Sequence, residues 1–189
     1  MIREVFIMEG NVNTITNNCN FMDVKPAIVS LPYPPIQVCE KNQNYAGLLS
    51  IDYCGQASEI SAIMQYINHE NRLSYEKCPL AKTILGIAMA EMIHLQKLGE
   101  LICLLGGNLG FTVRQSDGKQ KMWTPAYVKI SENTGNMIGA DIEGEKAAIN
   151  QYRMHMRMIR DTHVNAVLAR IIKDEEYHIM LLKTLMEEL

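Results

Sequence analysis

Glu91-Met-Ile-His94 and Glu175-Glu-Tyr-His178 each place a carboxylate and an imidazole three residues apart, a spacing that on a helix aims both at one point. Chance leaves fewer than one Glu-x-x-His pair in a chain with 15 glutamates and 5 histidines. Here both pairs fall at equivalent places in an internal repeat, because Glu59-Ile-Ser-Ala62-Ile63-Met-Gln65-Tyr66-x-x-His69 returns as Glu145-Lys-Ala-Ala148-Ile149-Asn-Gln151-Tyr152-x-x-His155. Four carboxylates (Glu59, Glu91, Glu145, Glu175) and two imidazoles (His94, His178) are therefore expected to converge. An ionised glutamate in an apolar stripe is costly unless it is paired or bound to a metal. Two divalent cations would balance the four carboxylates and leave both imidazoles neutral. Oxygen-rich ligation with one histidine per metal suits iron or manganese better than structural zinc, and the ligand types do not choose between those two.

Other polar residues have weaker claims. Tyr66 and Tyr152 lie seven positions after Glu59 and Glu145, so they either hydrogen-bond a ligand carboxylate from behind or simply pack in the core. His69 and His155 come ten positions after those glutamates, about 15 Å along a helix axis, and are expected to be structural or to face solvent. Asp141, Glu143, Asp174 and Glu176 fall on other helix faces and are expected to be solvated. The 13 methionines, with Met154, Met156 and Met158 clustered, read as adaptable core. Five cysteines (Cys19, Cys39, Cys54, Cys78, Cys103) are an odd number without C-x-x-C spacing. They are expected to be reduced and mostly buried.

These residues need helices to position them. Periodic apolar positions outline one helix from about Tyr45 through Ile67, a second from Pro79 to about Leu105, a third through Ile138, Ile142, Ile149 and Met156, and a fourth capped by Asp161-Thr162. Gly106-Gly107-Asn108 ends the second, and roughly 30 residues rich in Gly, Ser, Asp and Lys follow, too many for a simple hairpin. Short links within each helical hairpin and this long one between them predict an all-α antiparallel four-helix bundle with a long crossover. Residues 1–44, with the Asn11 to Asn20 stretch and Leu31-Pro32-Tyr33-Pro34-Pro35, predict an extended arm, leaving 45–189 for the bundle.

At 189 residues and 48% hydrophobic composition, one domain can bury its core unaided. A net charge of -3 spread along the chain offers no basic stripe to nucleic acid or anionic lipid. The opening 20 residues read as neither a secretory signal nor a membrane span, so the expectation is cytoplasmic.

With these residues in place, residues 32–189 resemble the ferritin-like superfamily and, within it, manganese catalases and their spore-coat relatives. Rubrerythrins and bacterioferritins are the second resemblance. The first resemblance rests on the ligand order, on Tyr33-Pro34, on Tyr53-Cys54-Gly55-Gln56-Ala57-Ser58-Glu59 and on Trp123-Thr124-Pro125-Ala126-Tyr127-Val128. Ala148 stands where rubrerythrins typically place a further glutamate ligand, and the rubredoxin cysteines are missing. The resemblance thus implies a two-metal redox site that turns hydrogen peroxide into water and dioxygen without an electron donor. Its alternatives are a peroxidase or ferroxidase fed by an external donor protein, acting on peroxide or dioxygen, and a spore-coat or assembly protein with a structural metal pair. The apolar arm predicts a homo-oligomer.

Overall fold

The computed structural model describes residues 16, 17, 19–114 and 118–189. The opening segment and most of Asn11 to Asn20, for which expectations were stated above, lie outside them. The helices are α1 (Gln43–Cys54), α2 (Glu59–Leu73), α3 (Cys78–Leu104), α4 (Thr134–Met158) and α5 (Thr162–Glu187). They make an antiparallel four-helix bundle in which α1 and α2 together fill one helix position beside the long α3, and α4 packs along α5.

The helix predicted from Tyr45 through Ile67 is thus two helices, and the cause is local. The Gly55 N–H still donates to Ile51 O, but Ser58 then caps α2 by accepting from the Ser61 N–H, while its own hydroxyl donates to Gly55 O at 2.8 Å. A Cβ on Gly55 would stand 2.5 Å from Ile51 O, so any other residue would force the turn apart. Pro79 sits in the first turn of α3, where its missing N–H costs nothing. Gly106, at φ +81°, ends α3 in the left-handed region. Asp161 caps α5 by accepting from the His163 and Val164 N–H groups.

Two apolar cores occupy the two ends of the bundle. Leu49, Leu98, Leu101, Ile102, Ile149, Val164, Leu168 and Ile171 form one, and Leu73, Ala81, Ile84, Ile87, Ile138, Ile142, Leu182 and Leu185 the other. By length and composition α3 could cross a membrane; in the bundle its Ala81, Ile84, Ile87, Ala88, Leu98, Leu101 and Ile102 are buried in these cores, with Glu91 and His94 between them.

The crossover carries a small antiparallel hairpin, β1 (Thr112–Arg114) with β2 (Gln120–Met122), and a 3-10 turn at Pro125–Tyr127. It is pinned to α2: the Trp123 indole donates to Ser61 Oγ at 3.0 Å, and the Lys129 N–H donates to Gln65 Oε1 at 2.8 Å. The described part of the arm packs on its own bundle. Its Ala27 N–H donates to Gly86 O at 2.8 Å, and its Cys39 N–H to Asp161 Oδ2 at 2.6 Å.

The cysteine expectation needs correction. Cys19 of the arm is disulfide-bonded to Cys78 at the start of α3, across 59 residues that no spacing rule connects. Cys39 and Cys103 are exposed, and only Cys54 is buried, where desolvation pushes its thiol up to about 11.

Candidate metal centre

Between the two cores, α2, α3, α4 and α5 deliver Glu59, Glu91 with His94, Glu145, and Glu175 with His178 to one place. All six are buried. Ligand-type atoms of Glu59, Glu91, His94 and Glu175 lie within 4.8 Å of one another, and so do those of Glu91, Glu145, Glu175 and His178. Glu91 and Glu175 belong to both groups. Each directs one oxygen to either side: Glu91 Oε2 is 2.9 Å from His94 Nδ1 while its Oε1 is 3.1 Å from His178 Nδ1. Glu175 Oε1 is 3.4 Å from His94 Nδ1, and its Oε2 is 3.0 Å from His178 Nδ1. Glu59 and Glu145 flank the outer sides, at 3.8 Å from His94 Nδ1 and 3.4 Å from His178 Nδ1.

Whether these residues suit a metal pair can be tested on their hydrogen bonds. Glu91 Oε1, Glu175 Oε2 and His178 Nδ1 are buried without a hydrogen-bond partner, and all three face the same small volume. His178 donates its other nitrogen, Nε2, to Ala27 O at 2.9 Å, and His94 turns Nε2 to Asp174 Oδ2 at 3.2 Å. Both imidazoles therefore turn Nδ1 inward, the nitrogen that would ligate a metal while Nε2 is held from behind. The donor set fits two cations.

The electrostatics carry the same message. Burial, then repulsion from Glu91, raises the Glu59 carboxyl well above its usual range, and burial with Glu175 and Glu91 does the same to Glu145. Burial alone would also raise Glu91, but the two imidazoles outweigh it and hold that carboxyl well below the usual range. Burial would lower His94 and His178, yet the surrounding carboxylates raise both. Without cations, protons therefore do the neutralising.

Tyr66 of α2 donates its hydroxyl to Glu145 of α4, and Tyr152 of α4 donates to Glu59 of α2. The repeat thus acts across the bundle, each helix steadying a carboxylate of its counterpart.

Asp141 and Asp174 are buried, not solvated as the single-helix reading had them, whereas Glu143 and Glu176 are exposed. Asp174 accepts from the Val29 N–H at 2.8 Å and the Tyr33 hydroxyl at 2.5 Å, and pairs with the Arg170 guanidinium at 2.7 Å. Burial opposes its charge, but His94, Arg170 and Tyr33 win and lower its carboxyl to about 2. Asp141 pairs with His69 at 2.9 Å and accepts from the Gln65 amide at 2.8 Å, while Asp52 pairs with His155 at 2.7 Å and accepts from Gln151 at 2.8 Å. His69 and His155 are thus structural, buried, and absent from both ligand groups. Gln65 and Gln151 coincide in the repeat, which was the available signal for these acids.

A cavity of about 390 Å³ reaches the cluster from the side of α2 and α4, lined by Glu59, Glu145, Ala62, Gly144, Ala148 and Tyr127 among others. Neither imidazole lines it. The approach is therefore to the carboxylate face.

A family model described as Rubrerythrin matches residues 55–186, a span holding all six cluster residues and α2 through α5. The chain belongs to the rubrerythrin family. Among curated proteins this family member is 24% identical over 160 residues to a probable manganese catalase of Clostridium acetobutylicum, covering 76% of this chain and 70% of that protein. It is 30% identical over 131 residues to a bacterioferritin of Streptomyces coelicolor, covering 67% and 72%. Among solved structures, a manganese catalase from Anabaena superposes with a TM-score of 0.74 at 21% identity, covering 85% of this chain and 78% of that one. A bacterioferritin of Mycobacterium tuberculosis does so at 0.65 and 25%, covering 79% and 87%. At such identities these structures bear on the fold.

Proposed function

We propose that Glu59, Glu91, His94, Glu145, Glu175 and His178 hold two metal ions, iron or manganese, and that the protein disproportionates hydrogen peroxide in the manner of a manganese catalase. The observation that carries this is the pair of shared carboxylates, each with one oxygen toward either histidine and with unpartnered lone pairs meeting between them. A bound metal pair supplies storage for two electrons, so peroxide can serve as oxidant in one half-reaction and reductant in the other. The residues supply the rest. Glu91 and Glu175 hold the two positions together, while Tyr66 and Tyr152 keep the outer glutamates aimed inward. The two apolar cores close the centre at both ends, and the cavity beside Ala148 admits a small substrate to the carboxylates.

The second reading, a peroxidase or ferroxidase supplied by an external electron donor, is favoured by the bacterioferritin relative. An apolar groove with exposed Met92, Leu104 and Leu109, joined by Ile36, Tyr53 and Leu95, supports a homo-oligomer better than the described part of the arm, which packs on its own bundle. We place the protein in the cytoplasm. The Cys19–Cys78 bond is the observation favouring a more oxidising setting such as a spore coat.

An oxygen-electrode assay on manganese-loaded and iron-loaded protein, with and without a donor, separates these readings. Disproportionation releases one dioxygen for every two peroxides consumed and needs no donor. Donor-dependent peroxide loss without dioxygen would replace it with the peroxidase reading, and no turnover with either metal would remove both.

A further inference from the structure

The repeat makes the two candidate metal positions nearly equivalent at the ligand level. Each has one outer glutamate steadied by a tyrosine of the opposite hairpin, a share in Glu91 and Glu175, and one imidazole offering Nδ1. Behind the imidazoles the equivalence fails. His94 Nε2 faces a carboxylate, Asp174, whereas His178 Nε2 faces a neutral backbone carbonyl, that of Ala27. The difference is written in the repeat, since Asp174 immediately precedes Glu175 while the residue preceding Glu91 is Ala90. A symmetric chain would carry an acid at residue 90. Instead Ala90 is fully buried, and the arm, bonded to α3 at Gly86 by the Ala27 N–H, brings in its carbonyl as the acceptor for His178.

We propose that this asymmetry makes the two positions unequal: Asp174 is a positioning residue that makes the His94 position bind its metal more tightly, so that it fills first. A carboxylate accepting the Nε2–H proton draws it away from the ring and leaves Nδ1 a stronger electron donor than an amide carbonyl does. Asp174 is also the better anchored acceptor. Val29, Tyr33 and Arg170 hold it from three directions, and Arg170 itself donates to Leu31 O at 2.9 Å and Val29 O at 3.0 Å. Arg170 offsets part of the Asp174 charge, which places the effect at the lower end of the usual range for groups behind a ligand, about tenfold in affinity.

The inference rests on the metal-pair reading, and one experiment separates their failures. Metal-free full-length protein receives one equivalent of Mn²⁺ per chain, and anomalous scattering at the manganese edge locates it. The expected density peak lies beside His94 Nδ1, with a much weaker one beside His178 Nδ1. Equal peaks, or the stronger one at His178, overturn the asymmetry alone, whereas density at neither histidine overturns the metal pair as well. Calorimetric titration of Mn²⁺ into variants tests the assigned cause. His94→Ala should remove the tight step and His178→Ala should keep it. Asp174→Asn, which still offers an acceptor but no charge, should weaken that step about tenfold and spare the other. An unchanged tight step in Asp174→Asn, in protein whose circular dichroism matches the unaltered chain, overturns the role given to Asp174.

Discussion

Removing the metals should lower the melting temperature, and the loss should grow as pH rises. If each position binds only in the folded chain and free metal stands at a hundred times Kd, each contributes about 2.7 kcal/mol, or roughly 5 kcal/mol for two. Unfolding entropy near 2.1 cal/mol/K per residue gives about 0.4 kcal/mol/K for 189 residues. The full shift is then roughly 13 °C. Protons reduce it, because in the metal-free chain Glu59, Glu145, His94 and His178 all hold protons more tightly than they do unfolded. A raised folded pKa gives stability that is complete below the unfolded value and is lost as pH climbs toward the folded one. The metal-free protein should therefore weaken above about pH 4 to 5 through the glutamates, and further above about pH 6.5 through the histidines. Glu91, lowered in the folded state, contributes with the opposite sign, as one group against four. Calorimetric melts of chelated and manganese-reloaded protein at about pH 6 and about pH 8 check this. Coincident melts after complete chelation, or a gap that narrows as pH rises, would refute the reasoning.

His155→Ala leaves Asp52 buried with Gln151 as its remaining side-chain partner, and a buried polar group that loses its hydrogen-bond partner costs about 1–3 kcal/mol. Urea unfolding should show that loss while the metal content per chain stays unchanged. Asp161→Ala removes the α5 cap and the bond to the Cys39 N–H and should cost about 1–2 kcal/mol, again read from urea midpoints. The unaltered chain holds the Asp161 carboxyl below its usual range, through backbone N–H donors that overcome its desolvation. That contribution is present above the unfolded value, near pH 4, and disappears as pH falls further, so the Asp161→Ala penalty should shrink in acid. Tyr66→Phe and Tyr152→Phe each free one outer glutamate and should weaken metal binding about tenfold or more, measured by competition with a chelator. Unaltered affinity in both would reduce the tyrosines to packing.

The six residues of the cluster stand out in the sequence because a repeat doubles a spacing rule, so that Glu91/His94 and Glu175/His178 support each other. Tyr66 and Tyr152 were legible as alternatives only, since helical phase does not reveal that each reaches the opposite hairpin. Asp141 and Asp174 were misplaced for a related reason. A residue off the apolar stripe of its own helix looks solvated until something covers it, and here the covers are the Gln65–His69 pair and the arm at Val29 and Tyr33. Asp52 itself has no signal in the repeat because it stands seven residues before Glu59 while Asp141 stands four before Glu145. The turn at Gly55 to Ser58 shifts it out of register. Cys19 and Cys78 meet through the path of the arm, which has no periodicity to read.

The measurement that bears most directly on the central claim is the number and position of the metals. Elemental analysis of protein purified without added metal, with anomalous scattering at the iron and manganese edges from fully loaded crystals, should find two ions per chain. One should be bound to Nδ1 of His94 and the other to Nδ1 of His178, with Glu91 and Glu175 touching both. A single ion per chain, or two ions of which either lies away from these histidines, would contradict it.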